Sequence, residues 1–519
     1  MDLNNINQIE AATAKGRSEM FRVGIALLFI IGIMLYTSIG DMKSIILSIA
    51  AMIGGYMAIN IGANDVANNV GPAVGSRALT LTGAIIIAAI FEASGALLAG
   101  GEVVSTIKEG IINPALIADG DTFIWVMMAA LLAGAIWLNI ATSMGAPVST
   151  THAIVGGVLG AGIAAGGIEI ANWDKMGAIT ASWIISPVLG GIIAASFLYL
   201  IKRTITYQQD MLVAARKVVP FLIAAMVWAF TSYLMLKALN KIWKIDFIST
   251  LSMGLVLAII IYFFVKPMIA KASKKLRNDK RSINTLFTIP LIFSAAMLSF
   301  AHGANDVANV VGPLAAINEA LNSGGITNKA PIPLWVMMVG AIGIALGLAL
   351  YGPKLIRTVG TEITDLDKMR AFCIAMAAAI TVIIASQLGL PVSSTHIAVG
   401  GIFGVGFLRE YLKTSYSKKI EEIKLHHPNE DPQIIEQFLL EFKQAPLIQK
   451  QEMLAQLKAN SAKAHLSKKE QKSLKKVYGQ ELVKRSHLLK IVAAWVITVP
   501  ITGLMAAILY FTIRGMMLP

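Results

Sequence analysis

The chain has 519 residues, of which 56% are hydrophobic and only 14% charged, and its mean hydropathy is +0.69. Soluble domains run at roughly 45–50% apolar and about 25% charged, so a soluble globular fold is excluded. The net charge of +14 does not argue for a nucleic-acid partner, because most Lys and Arg residues crowd into a few polar loops, as the topology rule for membrane proteins requires.

In chain order, residues 1–20 are mixed in charge, and the apolar run 21–40 is not followed by a small-residue cleavage site. It reads as a retained helix and not a cleavable signal. Further membrane-crossing elements are predicted at 44–76, 79–100, 122–142, 143–166, 176–201, 218–237, 247–265, 286–321, 332–352, 369–388, 389–408 and 488–511. Most carry about 20 apolar residues, enough to span a hydrocarbon core of ~30 Å. The predicted fold class is an all-α polytopic membrane protein with about 12–13 transmembrane elements, several of them broken or re-entrant. The single cysteine, Cys373, lies in an apolar helix, so there is no disulfide framework.

Two motif pairs divide the chain. GANDVANNVGP (62–72) returns as GANDVANVVGP (303–313), differing only at Asn69 and Val310, and GAPVSTTHAIVGG (145–157) returns as GLPVSSTHIAVGG (389–401). A weaker pair is ASWIISP (181–187) and AAWVITVP (493–500). The predicted organisation is an extra helix in 1–43, a first repeat over 44–201, and a basic linker with two helices over 202–285. The second repeat begins over 286–408, is interrupted by a polar insertion at 409–487, and closes with a last helix in 488–519. In the insertion, Asp431-Pro432 marks a helix start, Ile434, Ile435, Phe438, Leu439 and Phe442 form an apolar stripe, and Ser467 and Glu470 have capping-box spacing.

Basic loops set the expected orientation. Lys202, Arg203, Arg216 and Lys217 form one, Lys266 to Arg281 another, and Lys354, Arg357, Lys368 and Arg370 a third; with 409–487 these are expected in the cytoplasm. The N-terminus joins them and the C-terminus lies outside, so corresponding helices of the two repeats cross in opposite directions. That is an inverted-topology repeat in an inner or plasma membrane.

Each GANDVAN places an aspartate, Asp65 or Asp306, in an apolar segment. An Asp near the bilayer centre costs about 2.5–3.5 kcal/mol on insertion scales, so it marks function by default. Unwound carbonyls, the amides of Asn64, Asn68, Asn305 and Asn309, and one carboxylate per copy would make an oxygen cage for a small cation. In PVSTTH and PVSSTH a proline and a hydroxyl triplet open an apolar helix: Ser149, Thr150 and Thr151 in one, Ser393, Ser394 and Thr395 in the other. Such a helix start offers unpaired N–H groups and partial positive charge to an oxyanion. His152 and His396 follow the triplets; they either move protons or hold the turn, and the structural role is the expectation. His302 faces Ile61 of the other copy and so stands outside the symmetric set, and Glu92 has no evident carboxylate counterpart. No GxxxxGK[ST] motif, metal-ligand spacing or nucleophile–base pair is present, which argues against an enzyme.

The doubled GANDVAN and PVS[ST]TH motifs resemble those of the inorganic phosphate transporter family, phosphate permeases related to the sodium-dependent phosphate symporters of animals. The likeness covers about 44–201 and 286–511, and includes VGSRALT (74–80), IFEASGALLAG and TIKEGII (106–112). It implies symport of inorganic phosphate with a cation by a homodimer, with no cofactor beyond the coupling ion. Sodium would sit at Asn64, Asp65, Asn305 and Asp306. Phosphate would sit at Ser149, Thr150, Thr151, Ser393, Ser394 and Thr395, with both aspartates nearby. Glu92, His152 and His396 would be accessory. The helix 21–40, the position of the 409–487 insertion, and Ala375 where animal members often carry glutamate depart from the family plan. Sodium is favoured over protons because neutral oxygens flank each Asp. A proton-coupled phosphate permease, a sulfate or other oxyanion permease, and a channel or membrane-bound sensor are the alternatives.

Overall fold

The computed structural model describes residues 3–38, 42–117, 119–146, 148–237, 245–323, 332–361, 367–426 and 485–517. Apart from single turns and one isolated bridge between Ile112 and Ala171, the regular structure among these residues is helical. The first repeat contains α2 (Met42–Asn64), α3 (Val66–Gly75), α4 (Leu81–Ala99), α5 (Gly101–Glu109), α6 (Gly120–Ser143), α7 (Thr150–Gly166) and α8 (Trp173–Ile201). It is preceded by α1 (Leu3–Thr37) and followed by the linker helices α9 (Met211–Lys237), α10 (Phe247–Ser273) and α11 (Lys280–Leu286). The second repeat contains α12 (Thr288–Asp306), α13 (Ala308–Ser323), α14 (Leu334–Thr361), α15 (Lys368–Gln387), α16 (Ser394–His426) and α17 (Arg485–Met517).

Among the described residues, ten helices are long and apolar enough to cross a membrane, or eleven if α11 with α12–α13, bent by 45°, counts as one span. The protein is an all-α membrane protein. On α10 the side chains of Phe247, Ile248, Val256, Ile260, Phe263 and Phe264 are all exposed, as a helix facing lipid requires.

Several boundaries differ from expectation: α9 starts at Met211 and not at 218, α10, α14 and α17 run on to Ser273, Thr361 and Met517, and others differ for evident local reasons. α1 starts at Leu3 and not at 21, because nothing before the apolar run breaks the helix. α7 and α16 start at Thr150 and Ser394, later than 143 and 389, because Gly145 (φ 71°) and Gly389 (φ 65°) take left-handed conformations that end the helix before each. α5 was not foreseen: the chain breaks at Gly100 and turns into a separate short helix. α16 runs past 408 to His426. The helix start, stripe and capping box expected between 431 and 470 lie outside the described residues.

The two copies pack through matched close approaches. A Cβ on Gly62 would lie 1.9 Å from the Ile344 carbonyl oxygen, and one on Gly303 would lie 2.1 Å from that of Glu92. Gly347 and Gly95 repeat the pattern against Ile59 and Phe300, at 1.9 and 2.0 Å. Each repeat's broken helix is therefore pressed backbone to backbone against the next helix of the other copy. The same exchange joins α7 to α17 at Gly160 and Gly503, and α16 to α8 at Gly404 and Gly191. These contacts bring the two breaks, and the starts of α7 and α16, to one buried place.

Candidate ion and oxyanion site

The breaks at the aspartates are small. Asp65 keeps helical angles (φ −87°, ψ −35°), its N–H still reaches Ile61 O at 2.9 Å, and Asn68 N–H reaches Asp65 O at 3.0 Å. Around Asp306 the turn is equally tight, with Val307 N–H on Gly303 O at 3.3 Å. The expected stretch of unwound carbonyls is thus replaced by a one-residue offset, and the polar groups that converge here are mainly side chains.

Asn64 and Asn305 do a matched job. Asn64 donates to Thr142 Oγ1 at 2.9 Å and to Ala146 O at 3.2 Å, and accepts from Val148 N–H at 3.2 Å. Asn305 donates to Ser386 Oγ at 3.0 Å and to Leu390 O at 3.3 Å. Each amide staples a break to the loop that opens the following hairpin helix. Ser149 and Ser393 cap those helices, accepting from the backbone N–H of His152 at 3.1 Å and of His396 at 3.3 Å.

Three of the remaining hydroxyls point at the aspartates. Thr150 Oγ1 donates to Asp65 Oδ2 at 2.6 Å, Thr395 Oγ1 to Asp65 Oδ1 at 3.2 Å, and Ser394 Oγ to Asp306 Oδ2 at 3.2 Å. Asn68 donates to Thr395 at 2.8 Å, and Asn309 to Thr150 and Thr151 at 3.2 and 3.3 Å. Thr151 donates to Val392 O at 2.9 Å. Every bond from Asn68 or Asn309 to a hydroxyl crosses from one copy to the other. Asp65, Asn68, Thr150, Thr151, Asp306, Asn309, Ser394 and Thr395 are all buried.

The acceptors outnumber the donors. Asn68 Oδ1, Asn305 Oδ1, Asn309 Oδ1 and Asp306 Oδ1 are buried without a hydrogen-bond partner. Buried acceptors are normally satisfied, and two carboxylates with neutral oxygens are ligands suited to a hard cation. One ligand atom from each of Asp65, His302 and Asp306 falls within a 4.8 Å sphere of mutual distance, close enough for one ion. At the same place the first N–H groups of α7 and α16 have no intrahelical partner and suit an anion.

The phosphate transporter family model matches residues 61–506. The chain belongs to the phosphate transporter family. It is 53% identical over 525 residues to a candidate phosphate permease of Helicobacter pylori, covering 98% of each chain. It is 38% identical over 363 residues to one from Pyrococcus abyssi, covering 70% of this chain and 89% of the relative. A solved structure described as a sodium-dependent phosphate transporter matches with a TM-score of 0.74 and 31% identity, over 91% of this chain and all (100%) of that one. The protein is thus a membrane transporter and not an enzyme.

In this transporter the two halves of the site are unequal. His302 Nδ1 lies 2.6 Å from Glu92 Oε2, and its Nε2 lies 2.7 Å from Asp306 Oδ2. Asn69 donates to Glu92 Oε1 at 2.7 Å. The glycine contacts set Glu92 opposite Ile344, and the repeat sets His302 opposite Ile61 and Asn69 opposite Val310. One half of the site therefore has a polar trio, drawn from both copies, where the repeat-related half has three aliphatic side chains. His302 was left outside the symmetric set, yet it touches Asp306. The one mismatch between the GANDVAN copies, Asn69 against Val310, was the sequence signal that could have found it.

That pairing predicts a stability pattern. His302→Ile alone leaves Glu92 buried with only the Asn69 amide to offset its charge, which is strongly destabilising, whereas exchanging all three for their counterparts (N69V, E92I, H302I) removes both sides of the interaction. The triple variant of the detergent-solubilised transporter should melt above the single one. A lower melting point for the triple variant would show that the trio is not a self-contained unit.

His152 and His396 meet edge to face with ring centroids 4.5 Å apart, and Trp183 lies 3.8 Å from the His152 ring. Both line an apolar cavity of about 1450 Å³ between α7, α8, α16 and α17. Their rings are packed among apolar groups, while their backbone N–H groups are the ones capped by Ser149 and Ser393.

Proposed function

We propose that the protein imports inorganic phosphate by symport with a cation, sodium in the first instance, through alternating access. The observation that carries this is the meeting of two aspartates with hydroxyls from both hairpins, beside acceptor oxygens that no protein donor satisfies. Coupling cations sit at Asp65 and Asp306 with Asn68 and Asn309 oxygens. Backbone carbonyls of Asn64 and Asn305 complete the set, since the Asn64 amide is spent on stapling. Phosphate sits at the starts of α7 and α16, with Thr150, Thr151, Ser394 and Thr395 turning toward it when cations draw the carboxylates away. Ser149 and Ser393 serve it by capping.

The electrical cost supports coupling. Moving a divalent anion inward against 100 mV costs about 4.6 kcal/mol, twice the cost for one charge, so two monovalent cations cancel it. The repeats have inverted topology, the N-terminus and 409–487 lie in the cytoplasm, the C-terminus lies outside, and the chain works as a homodimer. A second reading, proton coupling, is favoured by one observation, the Glu92–His302–Asp306 contact.

Proteoliposomes with sodium and proton gradients imposed separately decide between these readings. Labelled phosphate should accumulate with inward sodium and not with an inward proton gradient alone, and labelled sulfate should not accumulate. Accumulation driven by protons without sodium would replace the first reading by the second, and uptake of sulfate alone would replace the substrate.

A further inference from the structure

A cavity of about 780 Å³ opens beside the site and is bounded by α1, α2, α6 and α14. Arg22 and Ala26 of α1, Asn60 and Ala63 of α2, and Asn139 and Thr142 of α6 are among the residues that line it. Asn139 donates to Asn60 Oδ1 at 3.2 Å, so part of the cavity wall is polar. Beyond Thr142 stands the Asn64 amide, 2.9 Å away, and the next residue is Asp65.

The matching region of the other copy is filled. The GANDVAN register sets Ile59 and Asn60 opposite Phe300 and Ala301, and the hairpin register sets Asn139 opposite Ile383. The polar pair is thus replaced by two apolar residues. Phe300 is met edge-on by Phe230 and Tyr233 of α9, with centroids 5.3 and 6.1 Å away, and Phe230 also meets Phe293 at 6.0 Å. Phe230, Tyr233 and Phe300 are all buried. α5, whose counterpart in the second copy stays part of α14 (353–361) and does not break off as a separate helix, closes over the same side: Thr106 donates to Gly389 O at 2.7 Å, Lys108 pairs with Glu319 of α13, and Glu102 with Lys237 of α9.

We propose that the cavity walled by α1 is the path by which hydrated phosphate and its coupling cations pass between the site and the membrane face where α1 begins. α1 is a working wall of that path, and the Asn64–Thr142 bond is its inner partition. The opposite path is shut by the α9 rings and α5. The carriage of phosphate rests on the function proposed above; the position of the path does not. The Asn60–Asn139 amide pair lies along one side of the site, while the repeat-related places hold Ala301 and Ile383 beside the α9 rings. A packing defect left by chance has no reason to carry that asymmetry.

The test uses the full-length transporter with Cys373→Ala and single cysteines at Ala26→Cys, Asn139→Cys and, on the filled side, Ile383→Cys and Tyr233→Cys. A charged, membrane-impermeant thiol reagent is applied to each face of sealed membranes, and the face bearing the N-terminus is identified by protease access to an N-terminal tag. Ala26→Cys and Asn139→Cys should be modified from the N-terminal face, and modified Asn139→Cys should lose uptake. Ile383→Cys and Tyr233→Cys should stay unmodified from that face. Equal protection of Asn139→Cys and Ile383→Cys, or full modification at Ala26→Cys and Asn139→Cys with uptake intact, overturns the proposal. If Asn139→Cys does not fold, Ala26→Cys against Tyr233→Cys decides it. If the Cys373→Ala parent carries no phosphate, the proposed substrate fails, while the labelling still decides the path.

Discussion

Asp65→Asn should abolish cation-driven phosphate uptake while leaving the protein inserted in the membrane. The Asp65 carboxylate accepts Thr150 from one hairpin and Thr395 from the other, at 2.6 and 3.2 Å, and is 1% exposed. A cation in that place is paired with a buried charge, and removing one partner of such a pair costs about 3–5 kcal/mol. That is two to nearly four orders of magnitude in cation affinity, at about 1.4 kcal/mol per tenfold. Asn keeps the shape and one acceptor oxygen, but it carries no charge and turns an amide donor toward the other hydroxyl. Asp306→Asn should fail in the same way. Sodium dependence of uptake and sodium-induced thermal stabilisation are the measurements. Wild-type values of both in either variant would remove that aspartate from the cation site.

Thr150→Ala with Thr151→Ala, and Ser394→Ala with Thr395→Ala, should raise the phosphate KM strongly. A hydrogen bond to a charged group contributes about 1.5–3 kcal/mol, roughly ten- to a hundredfold or more for each one lost. Thr150 and Thr395 also donate to Asp65, so the sodium concentration for half-maximal uptake should rise along with the phosphate KM. Thr150→Ser, which keeps the hydroxyl, should recover most of both. An unchanged phosphate KM in both double variants would leave these hydroxyls a purely structural role.

Most of the architecture was legible because membrane burial leaves a strong periodic record and because the motifs occur twice. Repetition drew attention to Asp65 and Asp306, Asn68 and Asn309, and the hydroxyl triplets, and the fold brings them together. What repetition could not supply was what it hides. Glu92, His302 and Asn69 have aliphatic counterparts, so a comparison of copies discounts them, and only the packing of α3, α4 and α12 brings them into contact. α5 escaped for a similar reason: it is short, the matching stretch of the second copy stays within α14, and its role depends on a tertiary bond from Thr106 to Gly389. The Asn64 and Asn305 amides looked like ligands because a sequence does not say which way a side chain turns. Here a loop carbonyl and a hydroxyl take their N–H groups.

The cross-copy bonds also bear on how the protein is made. Asp65 finds its two hydroxyls 85 and 330 residues further along the chain. At roughly 5–20 residues per second of synthesis, Thr395 emerges on the order of 15–65 s after Asp65. During that interval the early half holds a carboxylate with an incomplete shell, in a setting where an unsatisfied polar group is costly. The last-made hairpin settles that debt only when α16 arrives. A chain cut short before residue 394 is thus left with a built-in defect at its centre, by which quality control could distinguish it from a finished transporter.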